Sequence, residues 1–282
     1  MKAWQLVIKG MIMGAADLVP GVSGGTLAVI MGIYARLLAA LKSIDLQAIR
    51  KLLRFDIAGA WQQVDGWFLL AIFGGVLLSI FSLSRLISYL LEFQPIFIWS
   101  LFNGLILASL PGLLRLVNWQ WQQGVLLVAG LLFALFITSL TPHDFSPAWW
   151  MFLLAGFVAV SAMILPGISG SFILLLLGMY APVLAAVKDF NLLLLSLLLL
   201  GCVSGLLCSA HVLTWLLKRF YNGTLAFLLG IIMGALPSIW PYVENGERLM
   251  PWSMDASPWL SSILGLALGA VLLLLVKHMD KK

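Results

Sequence analysis

Two decapeptides decide the fold: DLVPGVSGGT at residues 17–26 and MILPGISGSF at residues 163–172. Both contain Pro-Gly-x-Ser-Gly, and both interrupt sequence that is otherwise apolar. Proline removes a backbone donor and glycine permits tight turns, so each decapeptide predicts a break between two helices. The chain therefore places the same irregular loop in hydrophobic surroundings twice.

The composition around these loops is that of an all-α integral membrane protein. Of 282 residues, 62% are hydrophobic and only 10% are charged, whereas soluble domains carry about 25% charged residues. The net charge of +5 comes without a basic cluster interleaved with aromatic residues, which argues against nucleic-acid binding. The two cysteines, Cys202 and Cys208, lie in one apolar run with no metal-ligand spacing around them, so no metal site is predicted.

Six stretches are apolar enough to span a membrane, which takes about 20 residues. They are Gly66–Ser84, Phe93–Leu114, Gly124–Thr141, Phe190–Leu217, Phe220–Val243 and Ala256–Val276. Two further apolar segments, residues 4–41 and 149–187, each contain one of the Pro-Gly loops. Each segment could form a re-entrant hairpin, which enters and leaves on one face, or a pair of short helices.

Basic residues divide unequally between the two faces if both segments are re-entrant. One face then receives only two basic residues, Lys188 and Arg248. The opposite face receives twelve: Lys2, Lys9, Lys42, Arg50, Lys51, Arg54, Arg115, Lys218, Arg219, Lys277, Lys281 and Lys282. Because cytoplasmic loops are enriched in lysine and arginine, this face is predicted to be cytoplasmic, with both termini there. A full crossing by either segment would spoil the division, so we predict re-entrant hairpins.

Residues 46–54, LQAIRKLLR, have one apolar and one basic side at helical spacing. This pattern predicts an interfacial helix on the cytoplasmic leaflet, and a solvated loop is the alternative.

The two loops belong to a longer internal repeat. At an offset of 146 residues, 11 of the 23 positions from 20 to 42 are identical. At an offset of 126, Gly75 corresponds to Gly201, Gly104 to Gly230 and Pro111 to Pro237. The sequence thus predicts two halves, residues 1–146 and 147–282, each with one hairpin and three spans. Because three is odd, the second half must be inverted, and inverted repeats with broken helices are typical of transporters.

The loops have the chemistry of an anion site. Irregular backbone at membrane depth must be buried in protein or line a cavity. A serine before each following helix is predicted to cap it, and a helix N-terminus presents unpaired N–H groups that favour anions such as phosphate. We therefore predict a phosphate site formed by Ser23, Gly24, Gly25, Thr26, Ser169, Gly170 and Ser171, with the helix breaks made by Pro20, Gly21, Pro166 and Gly167.

Four ionisable residues at membrane depth extend this hypothesis, because charges there are costly and usually functional. Arg85 could clamp the phosphate bidentately, or its side chain could extend to the membrane surface. His211, which corresponds to Arg85 in the repeat, could carry a proton or pack in a hydrogen bond. Asp17 could cap the hairpin or couple transport to a proton or sodium ion. Arg36 could reach the cytoplasmic headgroups or guide an anion inward.

A hydrolase, a lipid phosphatase and an anion channel or carrier are alternatives to lipid transport. GVSGG matches the nucleophile elbow of hydrolases, but that elbow needs a strand before it and an Asp/His pair. A membrane lipid phosphatase would also need a phosphate cradle, yet the three histidines have no recognisable phosphatase spacing. An anion channel or carrier for a small phosphate-like anion remains a further alternative.

Residues 9–45, KGMIMGAADLVPGVSGGTLAVIMGIYARLLAALKSID, closely resemble the signature of a bacterial membrane family of polyprenyl-phosphate transporters. AVSAMILPGISGSFILLLLGMYAPVLAAVKDFN resembles the second motif of that family, and the likeness extends over nearly the whole chain. The resemblance implies a flippase of the bacterial inner membrane. It would return undecaprenyl phosphate from the outer to the cytoplasmic leaflet for cell-wall synthesis. We predict no cofactor and no enzymatic activity. Arg85 and His211 are outside the family motifs.

Overall fold

A computed structural model describes residues 2–19, 21–140, 147–244, 247–250, 252 and 259–280. Fourteen α-helices lie within these residues. In chain order they are α1 Ala3–Asp17, α2 Gly24–Ile30, α3 Tyr34–Lys42, α4 Leu46–Leu53, α5 Ile57–Gln63, α6 Gly66–Phe93, α7 Pro95–Leu114, α8 Trp121–Ser139, α9 Met151–Ile164, α10 Gly170–Leu176, α11 Tyr180–Lys188, α12 Leu192–Arg219, α13 Tyr221–Ala235 and α14 Trp259–Asp280. A 3₁₀ turn, Leu236–Ile239, extends α13, and two short antiparallel strands follow it, β1 Val243–Glu244 and β2 Glu247–Arg248.

The six predicted spans are confirmed as α6, α7, α8, α12, α13 with its 3₁₀ turn, and α14, whose mean hydropathies range from 1.6 to 2.4. The main difference from the prediction is length. Helix α6 continues through Arg85 to Phe93 and has 28 residues, which corresponds to about 42 Å. A hydrocarbon core is about 30 Å thick, so the ends of α6 reach the headgroup layers. The prediction stopped at the first charge, but one charged side chain does not end a helix.

The two loop-containing segments are bent helix pairs. The chain bends by 118° between α2 and α3 and by 105° between α10 and α11. Gly32 and Gly178 lie at the two bends with φ of +70° and +63°, a conformation that glycine adopts at little cost. Nothing lies within 4 Å of the position that a Gly32 side chain would occupy, so the backbone angle alone requires this glycine.

Close packing at glycines shows that both hairpins are re-entrant. Gly10 of α1 lies against Ile72 of α6, and Gly14, one turn later, lies against Val76. Residue numbers at the contacts increase in the same direction along both helices. Helices α1 and α6 therefore run parallel and begin on the same face. The chain between them therefore enters and leaves on that face. Helices α9 and α12 repeat this arrangement through Gly156 and Gly205.

Two further helix pairs connect the halves. Gly265 and Gly269 of α14 pack against Ser100 and Leu105 of α7, and Gly223 and Gly234 of α13 pack against Leu126 and Ala134 of α8. Both pairs are again parallel. Small residues allow such close backbone approach between membrane helices, where dispersion forces and hydrogen bonds drive association.

The helix directions give an inverted-topology repeat, as predicted. Only Gln94 separates α6 from α7, and only Phe220 separates α12 from α13, so each of these neighbouring spans reverses direction. Since α13 runs parallel to α8, α12 must run opposite to α6, and α9 opposite to α1. The division into residues 1–146 and 147–282 stays a prediction, because residues 141–146 lie outside the described chain.

Both ends of the described chain lie on the face where α1 begins, which we call the basic face. The Gln5 Nε2 amide donates to the Met279 carbonyl at 2.5 Å. Helices α3, α12 and α14 end on this face with Lys42, Lys218, Arg219 and Lys277 in their last turns. Lys9 was predicted to lie at this face, but its side chain is buried inside the protein. It is 1% exposed, and its Nζ donates to the Met31 carbonyl at 2.9 Å. Lys281 and Lys282 lie outside the described residues.

The predicted helix over residues 46–54 is present as α4. The Asp45 carboxylate accepts hydrogen bonds from the N–H groups of Ala48 and Gln47 at 3.0 and 2.8 Å, which lower the pKa of Asp45. Leu46 and Leu53 are 71% and 75% exposed. The apolar side of α4 is therefore free to contact lipid, as an interfacial helix requires.

Candidate functional site

The first loop, between α1 and α2, has little open hydrogen-bonding capacity. Ser23 caps α2 as predicted, because its Oγ accepts from the Gly25 N–H at 3.2 Å. The Asp17 carboxylate accepts from the Gly24 N–H at 2.7 Å. The first N–H groups of α2 thus already have acceptors within the protein. Ser23 and Thr26 are 1% and 2% exposed, so this loop is a buried structural element rather than an open anion cradle.

Glycine at position 24 allows the Asp17 carboxylate to approach the backbone of α2. A methyl group there would overlap the Asp17 carboxylate. Asp17 itself is exposed, although it lies at the inner end of a re-entrant helix.

The second loop, between α9 and α10, is more open. Ser169 stands at the N-cap position of α10 but makes no capping hydrogen bond, so that part of the prediction is wrong. Its Oγ lies instead 2.9 Å from the Ser171 Oγ. Ser171 is exposed and Ser169 is partly exposed. The difference between the loops follows from the sequence, since the residue equivalent to Ser171 is Gly25, which offers no competing hydroxyl.

The two loops contact each other inside the protein. The Gly167 N–H donates to Thr26 Oγ1 at 2.7 Å, and the Tyr34 hydroxyl donates to the Ile164 carbonyl at 3.0 Å. A methyl group on Gly25 would lie 3.2 Å from the carbonyl oxygens of Met163 and Ile164. Because the hairpins enter from opposite faces, these contacts join the inner ends of two oppositely directed elements.

A cavity of about 260 Å³ adjoins the second loop. It lies towards the face opposite the basic face, because its walls include Trp99 near the start of α7 and Thr138 at the end of α8. The other lining residues are Gly21, Ala134, Ile137, Gly167, Ile168, Ser169, Phe172 and Ser238. The hydroxyls of Thr138 and Ser238 donate to carbonyls of their own helices. Of the lining hydroxyls in the described part of the chain, only that of Ser169 bonds to another side chain, Ser171, instead of a backbone group.

Arg85 and His211 are not brought to the loops. Arg85 is exposed on α6. Gly14 packs level with Val76 and Ser79, so Arg85 lies beyond the inner end of α1, nearer the opposite face. His211 is exposed at the corresponding depth of α12, where its Nδ1 donates to the Leu207 carbonyl at 2.8 Å. It lines a shallow groove beside α4, away from the serines.

Arg36 is held at the basic face. Its Nε and Nη2 atoms donate to the two carboxylate oxygens of Asp65 at 2.7 and 3.1 Å, and its guanidinium lies 4.3 Å from the centre of the Phe68 ring. This bidentate pair connects the first hairpin to the start of α6. Of the predicted helix-breaking residues, Pro166 is buried directly after α9, whereas Pro20 lies outside the described residues.

Three features of the first hairpin were missed from the sequence: the hydrogen bond of the Tyr34 hydroxyl, the Thr26–Gly167 contact and the burial of Lys9. Tyr34 carried a usable signal, because it is identical to Tyr180 in the repeat. The other two depend on which side chains face one another across the hairpins, and the spacing of residues does not show this.

The comparisons with known proteins agree with this architecture. The sequence profile of the undecaprenyl phosphate translocase-like family matches residues 13–254. The chain belongs to this family. A Vibrio cholerae protein named polyprenyl-phosphate transporter is 45% identical, over 97% of this chain and 96% of its own length. A Staphylococcus aureus protein of the same name is 33% identical, over 95% of this chain and 96% of its own length. No solved structure matches this member of the translocase-like family.

Proposed function

We propose that this chain transports a polyprenyl phosphate between the two leaflets of the membrane, returning undecaprenyl phosphate from the outer to the cytoplasmic leaflet. Membership of the translocase-like family and the names of both relatives support the substrate class. The observation that carries the proposal is the contact between the two re-entrant loops, Gly167 N–H to Thr26 Oγ1. Broken helices that meet inside an inverted repeat are the usual place for a transported substrate.

The phosphate is proposed to bind at the second loop. Among the described residues, the Ser169 and Ser171 hydroxyls bond to each other and to no backbone group, and Ser169 faces a cavity. Hydrogen bonds to a charged phosphate are stronger than those between neutral groups. The polyprenyl chain would stay among the apolar helices or in the bilayer, so that only the phosphate passes the loops. Arg85 and His211 have no part in this proposed site.

The orientation and the energy source are also proposals. The concentration of lysine and arginine on the basic face supports a cytoplasmic location for that face and for both termini, in the inner membrane. Asp17 is an exposed carboxylate at the first loop, bonded to Gly24 N–H. Its position supports coupling of transport to a proton or a sodium ion.

We expect the double variant Ser169→Ala/Ser171→Ala to lower the initial transport rate by about tenfold, which is the loss of one or two hydrogen bonds to a charged group. The matched control is Ser238→Ala, which changes the same cavity but removes a hydroxyl already bonded to Ala235. Both proteins should reach the membrane in equal amounts. Wild-type transport by the double variant would remove these hydroxyls from the mechanism.

The substrate class is tested by native mass spectrometry of purified protein with undecaprenyl phosphate, undecaprenol and inorganic phosphate. The proposal predicts binding of the phosphorylated lipid alone, with no release of phosphate. Released phosphate would identify a lipid phosphatase. Binding of inorganic phosphate as tightly as of the lipid would identify an anion carrier or channel.

A further inference from the structure

A second cavity lies on the side of the basic face and is separate from the loop cavity. It has a volume of about 830 Å³ and separates the α8–α13 pair from the α9–α12 pair. Its walls are mainly apolar, with Leu126, Phe157, Val212, Phe227 and Leu228 among them. Leu126 and Val212 are 37% and 50% exposed, so the cavity opens at the lateral surface of the protein, where lipid chains would lie.

One basic side chain lines the mouth of this cavity. Arg219, the last residue of α12, lines the cavity at the basic face, and none of the lining residues is acidic. Among the described residues, the Arg219 side chain forms no ion pair or hydrogen bond. The two neighbouring amide oxygens already accept hydrogen bonds from the backbone: Asn222 Oδ1 from the Asn118 N–H, and Gln123 Oε1 from the Gln120 N–H. The guanidinium is therefore available to an external anion.

We propose that this cavity is the binding site for polyprenyl phosphate in the leaflet at the basic face, with Arg219 holding the phosphate and the apolar walls holding the first part of the chain. This inference rests on the proposed function and names a second site for the same substrate. An apolar cavity of several hundred Å³ with few polar groups is the usual form of a ligand site. Arginine suits a phosphate because its planar fork donates two parallel hydrogen bonds.

The position of the cavity also defines a route. Leu165 lines this cavity, whereas Gly167, Ile168 and Ser169 line the smaller cavity towards the opposite face. Both cavities are bounded by α8. The second loop thus stands between two cavities along the same helix, and the substrate would pass it to move from one leaflet to the other.

The test of the phosphate contact is titration of purified protein with undecaprenyl phosphate, followed by native mass spectrometry. We expect Arg219→Gln to weaken binding by about tenfold or more, the usual effect of losing a charge-assisted contact. Arg219→Lys should recover only part of the affinity, since it retains the charge but not the planar fork that donates two parallel hydrogen bonds. The matched control is Lys218→Gln, which removes an equally exposed charge that does not line the cavity. Equal affinities for Arg219→Gln and the wild type would overturn the contact.

Cys208 provides a test that does not involve Arg219. Its thiol is exposed and lines the cavity, whereas Cys202 does not line it. In a Cys202→Ala protein, N-ethylmaleimide should alkylate Cys208. When undecaprenyl phosphate occupies more than two thirds of the protein, the alkylation rate should fall at least threefold. Undecaprenol should leave the alkylation rate unchanged.

The outcomes separate this inference from the proposed function. Lipid that binds without protecting Cys208 would overturn the cavity as the site while leaving transport in place. A Cys208 that resists alkylation without lipid would mean that the cavity is closed, which also overturns the proposal. If the wild-type protein does not bind the lipid at all, the proposed function itself fails.

Discussion

Gly75→Ala should destabilise the protein by about 2 to 3 kcal/mol, the usual cost of inserting a methyl group where none fits. The methyl group would overlap the Val7 carbonyl of α1 and force α1 and α6 apart. The adjacent substitution Gly74→Ala is the matched control, because nothing lies within 4 Å of its new methyl group. Because alanine has a higher helix propensity than glycine, Gly74→Ala should leave the free energy of unfolding unchanged or raise it by up to about 1 kcal/mol.

Unfolding of the two variants in increasing concentrations of a denaturing detergent would measure this difference. Gly201→Ala, the counterpart of Gly75→Ala in the repeat, should behave like it, because its methyl group would overlap the Leu153 carbonyl of α9. Equal stabilities for Gly74→Ala and Gly75→Ala would contradict the parallel packing of α1 on α6, on which the re-entrant assignment depends.

Thr26→Val should reduce the transport rate by about tenfold, while Thr26→Ser should transport at close to the wild-type rate. Valine has nearly the shape of threonine but cannot accept the hydrogen bond from the Gly167 N–H. A buried donor left without a partner costs about 1 to 3 kcal/mol, which is enough to move the second loop away from the first. Serine retains the acceptor and loses only a methyl group.

The measurement is the initial rate of polyprenyl-phosphate translocation in vesicles that contain equal amounts of each protein. Thermal midpoints in detergent should show that both variants remain folded. If Thr26→Val transports like Thr26→Ser, the contact between the loops has no role in the transport cycle.

Much of the architecture could be predicted from the sequence because the bilayer restricts what a chain can do. The six spans follow from the absence of charge over about 20 residues, and the re-entrant hairpins follow from the division of lysine and arginine between two faces. The inverted repeat follows from the offsets between matching residues. These features depend on local composition or on internal similarity, both of which a sequence displays directly.

The site was less predictable, because it depends on contacts between residues far apart in the chain. Thr26 and Gly167 are separated by 141 positions, and no spacing rule relates them. The correspondence of Arg85 with His211 placed the two at equivalent positions of oppositely directed helices but did not show which way each side chain points. Similar loop sequences also suggested two equal phosphate sites. In the first loop, however, Asp17 and Ser23 accept the hydrogen bonds of the backbone N–H groups, whereas the second loop stays open.

The proposed function requires this chain to move polyprenyl phosphate from one leaflet to the other. Vesicles containing the purified protein and undecaprenyl phosphate can be treated with a phosphatase that cannot cross the membrane, and the released phosphate measured over time. We expect release to proceed beyond the fraction in the outer leaflet and to approach all of the lipid, while protein-free vesicles stop at that fraction. Release that stops at the same level with and without the protein would contradict the proposed function.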